Sequence, residues 1–260
     1  MTTRAHGRYR STTLRGSDDD VAVNFVLMLT EKDVTIPDAL EVYEKLAVDS
    51  LRNIAFKDVG ADRQMVQDLT DAAHADGRSV LLELADMSDR GQEQGLQLGV
   101  DLGVDQVVAR WRADFADALA TEGAPEYWPF LGSLSGSPLV LDSTPDELAA
   151  QADELSRAGG VGGFVLMPYR QSAYDAVALL ERASAAATVP VLVAGGVRDA
   201  EQIDDIAGAG GWGFTMGGAA LAERHGDPES VSRRVADIMR LCEEVPARRS
   251  GSPRTEEKVK

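Results

Sequence analysis

Short, almost wholly apolar runs recur along this chain, and each is followed by a longer stretch with helical spacing. Phe164-Val165-Leu166 and Val191-Leu192-Val193 are typical of the runs. A strand that is apolar on both faces belongs inside a parallel sheet covered by helices, because an antiparallel strand with one wet face would alternate. The expected strands are residues 21–30, 53–59, 79–84, 105–109, 128–131, 162–167, 189–194 and 213–216. Helices are expected from Pro37 on and over 62–75, 88–102, 113–121, 144–158, 172–187, 199–209 and 228–241. Thr144-Pro145-Asp146-Glu147 is the clearest helix start, with a cap, a proline at the first position and acids in the first turn. Residues 132–143 read as a long loop, with a short extra strand over 139–141. Alternation of this kind over about 225 residues matches a single (β/α)8 TIM barrel. A doubly wound open sheet is the structural alternative.

The domain reading is a flexible leader over 1–20, a barrel over 21–243 and a flexible tail over 244–260. The leader has no apolar core segment and does not read as a secretory signal. The longest apolar run, near Val21 to Leu29, is broken by Asn24 and is too short to span a membrane. The formal net charge of -17 repels nucleic acid and anionic lipid, so neither is an expected partner. A single cysteine, Cys242, allows no intrachain disulfide and no cysteine–histidine metal site, and it fits a cytoplasmic setting. Carboxylates form no convincing metal cluster. No cofactor is called for, and a homo-oligomer is compatible with the sequence.

Two of the runs end in paired glycines, Gly195-Gly196 and Gly217-Gly218. In a barrel these two loops are neighbours at the C-terminal face, where active sites sit. Glycine lets backbone N–H groups approach phosphate oxygens with no Cβ in the way. A helix start at Ala219-Ala220-Leu221 would add its N-terminal dipole. The expected ligand is a small phosphorylated compound, drawn in by local donors against an acidic surface.

The segment VAGGVRDAEQIDDIAGAGGWGFTMGGAAL resembles the last quarter of the ribulose-phosphate-binding barrels, and among them the phosphoribosylformimino-aminoimidazole carboxamide ribotide isomerase branch. That resemblance implies a phosphate-binding (β/α)8 barrel. Those isomerases carry one catalytic aspartate on strand 1 and one on strand 5. Here the first strand offers Asn24 and no acid, and the fifth offers none. The fold and the phosphate site are implied, and that particular activity is not.

Lys57 is the only lysine in an expected strand. Alternation along residues 53–59 sends Ile54 and Phe56 to the helices, and Ala55 and Lys57 to the barrel axis. Glu83 sits in the neighbouring strand within Leu81-Leu82-Glu83-Leu84, where a carboxylate needs a partner. Two catalytic readings stay open. Lys57 as a neutral amine would attack a carbonyl and form a Schiff base, making an aldolase-type lyase with Glu83 as acid and base. Lys57 as an ammonium would stabilise an enediolate in a sugar-phosphate isomerase or epimerase. A structural ion pair in a non-catalytic phosphate-binding barrel is the third reading. Asp58 is a further catalytic candidate. Asn24, Arg110 and Tyr169 are candidates for substrate contacts, Arg110 as a clamp for a carboxylate or a second phosphate. His6, His74 and His225 occupy no strand end, so histidine catalysis is not expected.

Overall fold

The computed structural model describes residues 23–136, 138–171, 173–226 and 229–245. The expected leader, the tail from residue 246, Ser172 and Pro228 lie outside the described residues. The barrel strands are β1 (Asn24–Met28), β2 (Asn53–Lys57), β3 (Ser79–Glu83), β4 (Gln106–Ala109), β5 (Glu126–Pro129), β6 (Phe164–Leu166), β7 (Val191–Val193) and β8 (Gly213–Met216). The helices are α1 (Ala39–Glu44), α2 (Arg63–Ala75), α3 (Asp89–Leu102), α4 (Ala113–Leu119), α5 (Pro145–Leu155), α6 (Ala176–Ala186), α7 (Ala200–Gly208) and α8 (Ser230–Glu244).

All pairings between barrel strands are parallel, in the order β6-β7-β8-β1-β2-β3-β4-β5. The ring closes where Tyr127 bridges Val161 and Phe130 bridges Val165, with Leu131 N–H donating to the Val165 carbonyl at 2.8 Å. The fold is therefore a (β/α)8 barrel, and the open sheet is excluded.

Strand parity divides the apolar residues into two cores. Val26, Met28, Ala55, Leu81, Val108, Trp128, Val165 and Leu192 fill the axis. Leu27, Ile54, Phe56, Val80, Leu82 and Phe164 face the helices. Trp128 is fully buried and meets Trp212 edge-on, with ring centroids 5.7 Å apart. Gly163 makes room for it, since a Cβ there would come within 2.6 Å of the indole. The filled axis leaves open only the end of the barrel where the strands finish.

Local signals act as the sequence suggests. Thr144 and Glu147 form a reciprocal capping box on α5. Gly103 ends α3 in the left-handed conformation. Some boundaries differ. β5 begins at Glu126, earlier than the apolar run suggests, because Glu126 and Tyr127 pair with Gln106 and Val107. The loop after β5 holds a hairpin, Leu134–Ser135 against Val140–Leu141. A second hairpin, absent from the sequence reading, follows β1 and pairs Thr30–Glu31 with Val34–Thr35.

One side-chain pair ties α2 to the start of β4. His74 Nε2 lies 2.9 Å from Asp105 Oδ2, which also accepts the Val80 N–H at 2.8 Å. The hydrogen bond to Asp105 outweighs burial and holds the imidazole above its ordinary value. A raised folded-state pKa adds stability that is complete below about pH 6.5, the unfolded value, and fades as pH rises through the folded one. Urea titrations of His74→Gln against wild type should therefore show a gap on the order of 1 kcal/mol at pH 6. The gap should shrink at alkaline pH, and one that widens there would contradict this account.

Candidate functional site

Lys57 and Glu83 are the last residues of β2 and β3, and they stand directly opposite each other in register. Both point to the barrel axis and both are buried. Lys57 Nζ lies 2.9 Å from Glu83 Oε1. The same nitrogen donates to Asp33 Oδ1 at 3.1 Å. Asp33 in turn receives two hydrogen bonds from Arg170, at 2.9 and 3.1 Å, in a fork-on-carboxylate pairing. A continuous chain, Glu83–Lys57–Asp33–Arg170, thus crosses the mouth of the barrel.

Asp33 arrives there by a tight turn. Lys32 and Asp33 are the two central residues of the first hairpin, with φ of 51° and 64°. A two-residue turn with both φ positive normally uses Asn-Gly, so this Lys-Asp pair is strained by roughly 1–2 kcal/mol per residue. The ion pairs of Asp33 offset that cost. The other arm of the hairpin is tied to β2. Thr35 Oγ1 donates to the Lys57 carbonyl and accepts the Lys57 N–H, both at 2.8 Å.

Burial alone would lower the Lys57 pKa, but the charges and hydrogen bonds of Glu83 and Asp33 overcome it and hold the amine above its ordinary value. Lys57 is therefore an ammonium in the unliganded protein. Burial pushes Asp33 up, yet Arg170 and Lys57 draw it down to about 2.

Both glycine loops reach the same cavity as this chain, a space of about 310 Å³. Gly195 and Gly196 have φ of 74° and 84°. A Cβ on Gly195 would sit 2.3 Å from Arg170 Nε, so this glycine is what lets Arg170 lie across the loop toward Asp33. A Cβ on Gly217 would meet the Thr30 carbonyl at 2.8 Å. Gly218 is different, because a Cβ there meets nothing within 4 Å. It lines the cavity with no internal reason to be glycine. The Thr30 and Thr215 side chains also line this space, and Lys32 and Arg198 stand exposed at its edge. Among the described residues neither of these two cations has an ion-pair partner.

The expected helix at Ala219-Ala220-Leu221 is a single turn instead. Leu221 N–H donates to the Gly217 carbonyl at 2.9 Å, and among the described residues no helix follows before α8. The glycine loop contributes backbone groups here but no helix dipole.

Four candidates are not brought to the cavity. Asp58 follows Lys57 and so points the opposite way, where its Oδ1 accepts the Ala85 N–H at 2.7 Å and burial raises its pKa. Asn24 starts β1 at the far end of the barrel, and its amide donates to the Trp212 carbonyl at 3.0 Å. Arg110 pairs with Asp89 and is partly exposed, away from the cavity. Tyr169 packs against the helix-facing core, and burial with nearby Asp205, Asp199 and Asp175 pushes its phenol up to about 12. Its neighbour Arg170 takes the position in the site. Among the described residues no group of histidine, cysteine and carboxylate side chains is placed to hold a metal ion.

No protein-family model matches the chain, and no curated protein matches it. Solved structures do match in fold. Tryptophan synthase from M. tuberculosis aligns with a TM-score of 0.60 at 14% identity, covering 86% of this chain and 94% of that one. Thiamine phosphate pyrophosphorylase from Pyrococcus furiosus aligns with a TM-score of 0.59 at 12% identity, covering 87% and 98%. The tryptophan synthase A-subunit from Pyrococcus furiosus gives 0.58 at 14%, covering 85% and 98%. At these identities the likeness establishes the barrel and no more.

Removing Lys57 leaves Glu83 buried beside no cation, while Asp33 keeps Arg170. Lys57→Met should therefore destabilise the fold at pH 7 by about 3–5 kcal/mol. Chemical denaturation of wild type and variant at pH 7 checks this, and a deficit under about 1 kcal/mol would contradict the pairing.

Proposed function

We propose that this barrel is an enzyme that moves a proton next to the carbonyl of a small phosphorylated compound, as a sugar-phosphate isomerase or epimerase does. The observation that carries the reading is the placing of Lys57, buried between two carboxylates, in one cavity with both glycine loops. The loops offer backbone N–H groups to a phosphate, and Lys32, Arg198 and Arg170 supply positive charge beside them. Gly218, open to the cavity, leaves space for that group.

The roles follow from geometry and charge. The Lys57 ammonium polarises the carbonyl oxygen. The Glu83 carboxylate takes the proton from the adjacent carbon. That C–H electron pair forms the carbon–carbon double bond, and the carbonyl π pair moves onto the oxygen facing Lys57. Return of the proton to the other face of the same carbon gives the epimer; its return to the former carbonyl carbon, with the adjacent hydroxyl proton passing to the oxyanion, gives the isomer. Asp33, at about 2, is too weak a base for this task, and it orients Lys57 and Arg170 instead.

The Schiff-base reading of Lys57 requires a free amine. Two carboxylates that favour the ammonium count against it. The non-catalytic reading is weakened by the place of Lys57 and Glu83 on the lining of the cavity that the glycine loops share.

Proton exchange is the test. In D2O with a panel of small phosphorylated aldehydes and ketones, NMR should show enzyme-dependent deuterium uptake at the carbon beside the carbonyl. Glu83→Gln should reduce it by about 10²–10⁴. A borohydride-trapped adduct that disappears in Lys57→Met would transfer the assignment to a lyase. Absence of both exchange and adduct across substrates that bind would restore the non-catalytic reading.

The phosphate end is tested separately. Gly218→Val should keep stability within about 0.5 kcal/mol, since a Cβ there meets nothing within 4 Å. It should weaken inorganic phosphate binding, read by calorimetry, by at least about 10-fold. Gly195→Ala should instead destabilise the fold by roughly 1–3 kcal/mol, through its positive φ and its collision with Arg170. Unchanged phosphate binding in Gly218→Val would contradict the assignment.

A further inference from the structure

The ion-pair chain has a second open side. A cavity of about 430 Å³ lies beyond it, and Lys32, Asp33, Lys57 and Glu83 line this space as well as the first. The two cavities meet at these four residues, so the second lobe adjoins Lys57 on the side away from the glycine loops.

The new walls of the lobe are mostly apolar. Val34 comes from the tip of the first hairpin, Val59 from the loop after β2, Met87 from the loop after β3, and Leu139 from the hairpin after β5. Met87 and Leu139 pack on the axis cluster and form its inner wall. Val34 and Val59 remain 39% and 37% exposed, large apolar side chains left open to water. Exposed apolar side chains gathered around one cavity mark a ligand surface more often than chance does. Methionine in such a wall adapts to the shape of what it contacts.

The charges of the lobe point the same way. Among the described residues Asp86 is its one ionisable side chain not shared with the first cavity, and Asp86 accepts the Ser88 N–H at 2.9 Å. An acid there opposes an anion. Arg110, the sequence candidate for a second phosphate, is held by Asp89 and does not line this space.

We propose that the substrate is two-ended, with a phosphate at the glycine loops, its reacting carbon at Lys57, and an uncharged apolar group of about ring size in the lobe of Val34, Val59, Met87 and Leu139. The proposal rests on the phosphate reading given above and adds the chemical class of the other end.

Calorimetry with defined probes tests it: inorganic phosphate, propyl phosphate, 3-phenylpropyl phosphate and 3-phenylpropanol. The phenylpropyl ester should bind at least about 10-fold tighter than the propyl ester. Val34→Glu and Val59→Glu change exposed side chains outside the ion-pair chain. Each should abolish that difference and leave the affinity for inorganic phosphate unchanged. Equal affinity of the two esters for wild type overturns the proposal, and so does a difference that survives in both variants. The two readings fail separately. If no phosphate compound binds, but 3-phenylpropanol binds and is lost in Val59→Glu, the phosphate reading falls and the apolar lobe stands. If the alcohol is silent as well, both fall.

Discussion

A buried ammonium between two carboxylates organises the open end of this barrel. Lys57 alone would be costly at its depth, because desolvation works against its charge. Glu83 from the next strand and Asp33 from the first hairpin reverse that balance. The consequences reach well beyond the pair. Asp33 can serve only if the Lys32-Asp33 turn accepts a left-handed backbone, and Arg170 helps to hold it there. Arg170 can reach Asp33 only because Gly195 has no side chain. The strained hairpin, the arginine and the first glycine loop thus depend on one another.

This linkage bears on how a chain of net charge -17 could draw in an anion, as the proposed function requires. Most of its acids lie on the outside, where salt screens them over roughly 8–10 Å. At the mouth of the barrel the positive groups are concentrated and partly enclosed, and the glycine loops add backbone donors that carry no counter-charge. Lys57 and Arg170 are partly neutralised by Asp33 and Glu83, whereas Lys32 and Arg198 have no ion-pair partner among the described residues. The local field differs in kind from the global one, and the local one decides what enters.

The barrel was legible in the sequence because its physics is periodic. Strands buried on both faces read as apolar runs, parity along β2 was enough to turn Lys57 inward, and the lone carboxylate in the apolar run of β3 pointed to Glu83 as its partner. Asp58 fails by the same rule, since the residue after an inward one faces the helices. Asn24 was misjudged by its place along the strand, at the start where the far end of the barrel is built. Arg110 lies at the correct end, but Asp89 holds it, and nothing in spacing reveals such a pairing. Asp33 escaped notice for a different reason. It lies beyond the end of the first strand, and a Lys-Asp turn lacks the glycine or asparagine that announces a hairpin. The turn of residues 217–221 failed in the opposite sense, because helix-prone alanines stop after a single turn. Gly195 was expected to admit a ligand, and it also admits Arg170.

The account stands or falls on whether a tetrahedral dianion settles between the two glycine loops. Crystals soaked in tungstate, a heavy stand-in for phosphate, would locate it by anomalous scattering. The predicted result is one strong peak within hydrogen-bond reach of the backbone at Gly195-Gly196 and Gly217-Gly218, on the same side of the barrel as Arg170 and Lys57. A cavity without tungstate, or tungstate bound only at outer arginines, would contradict it.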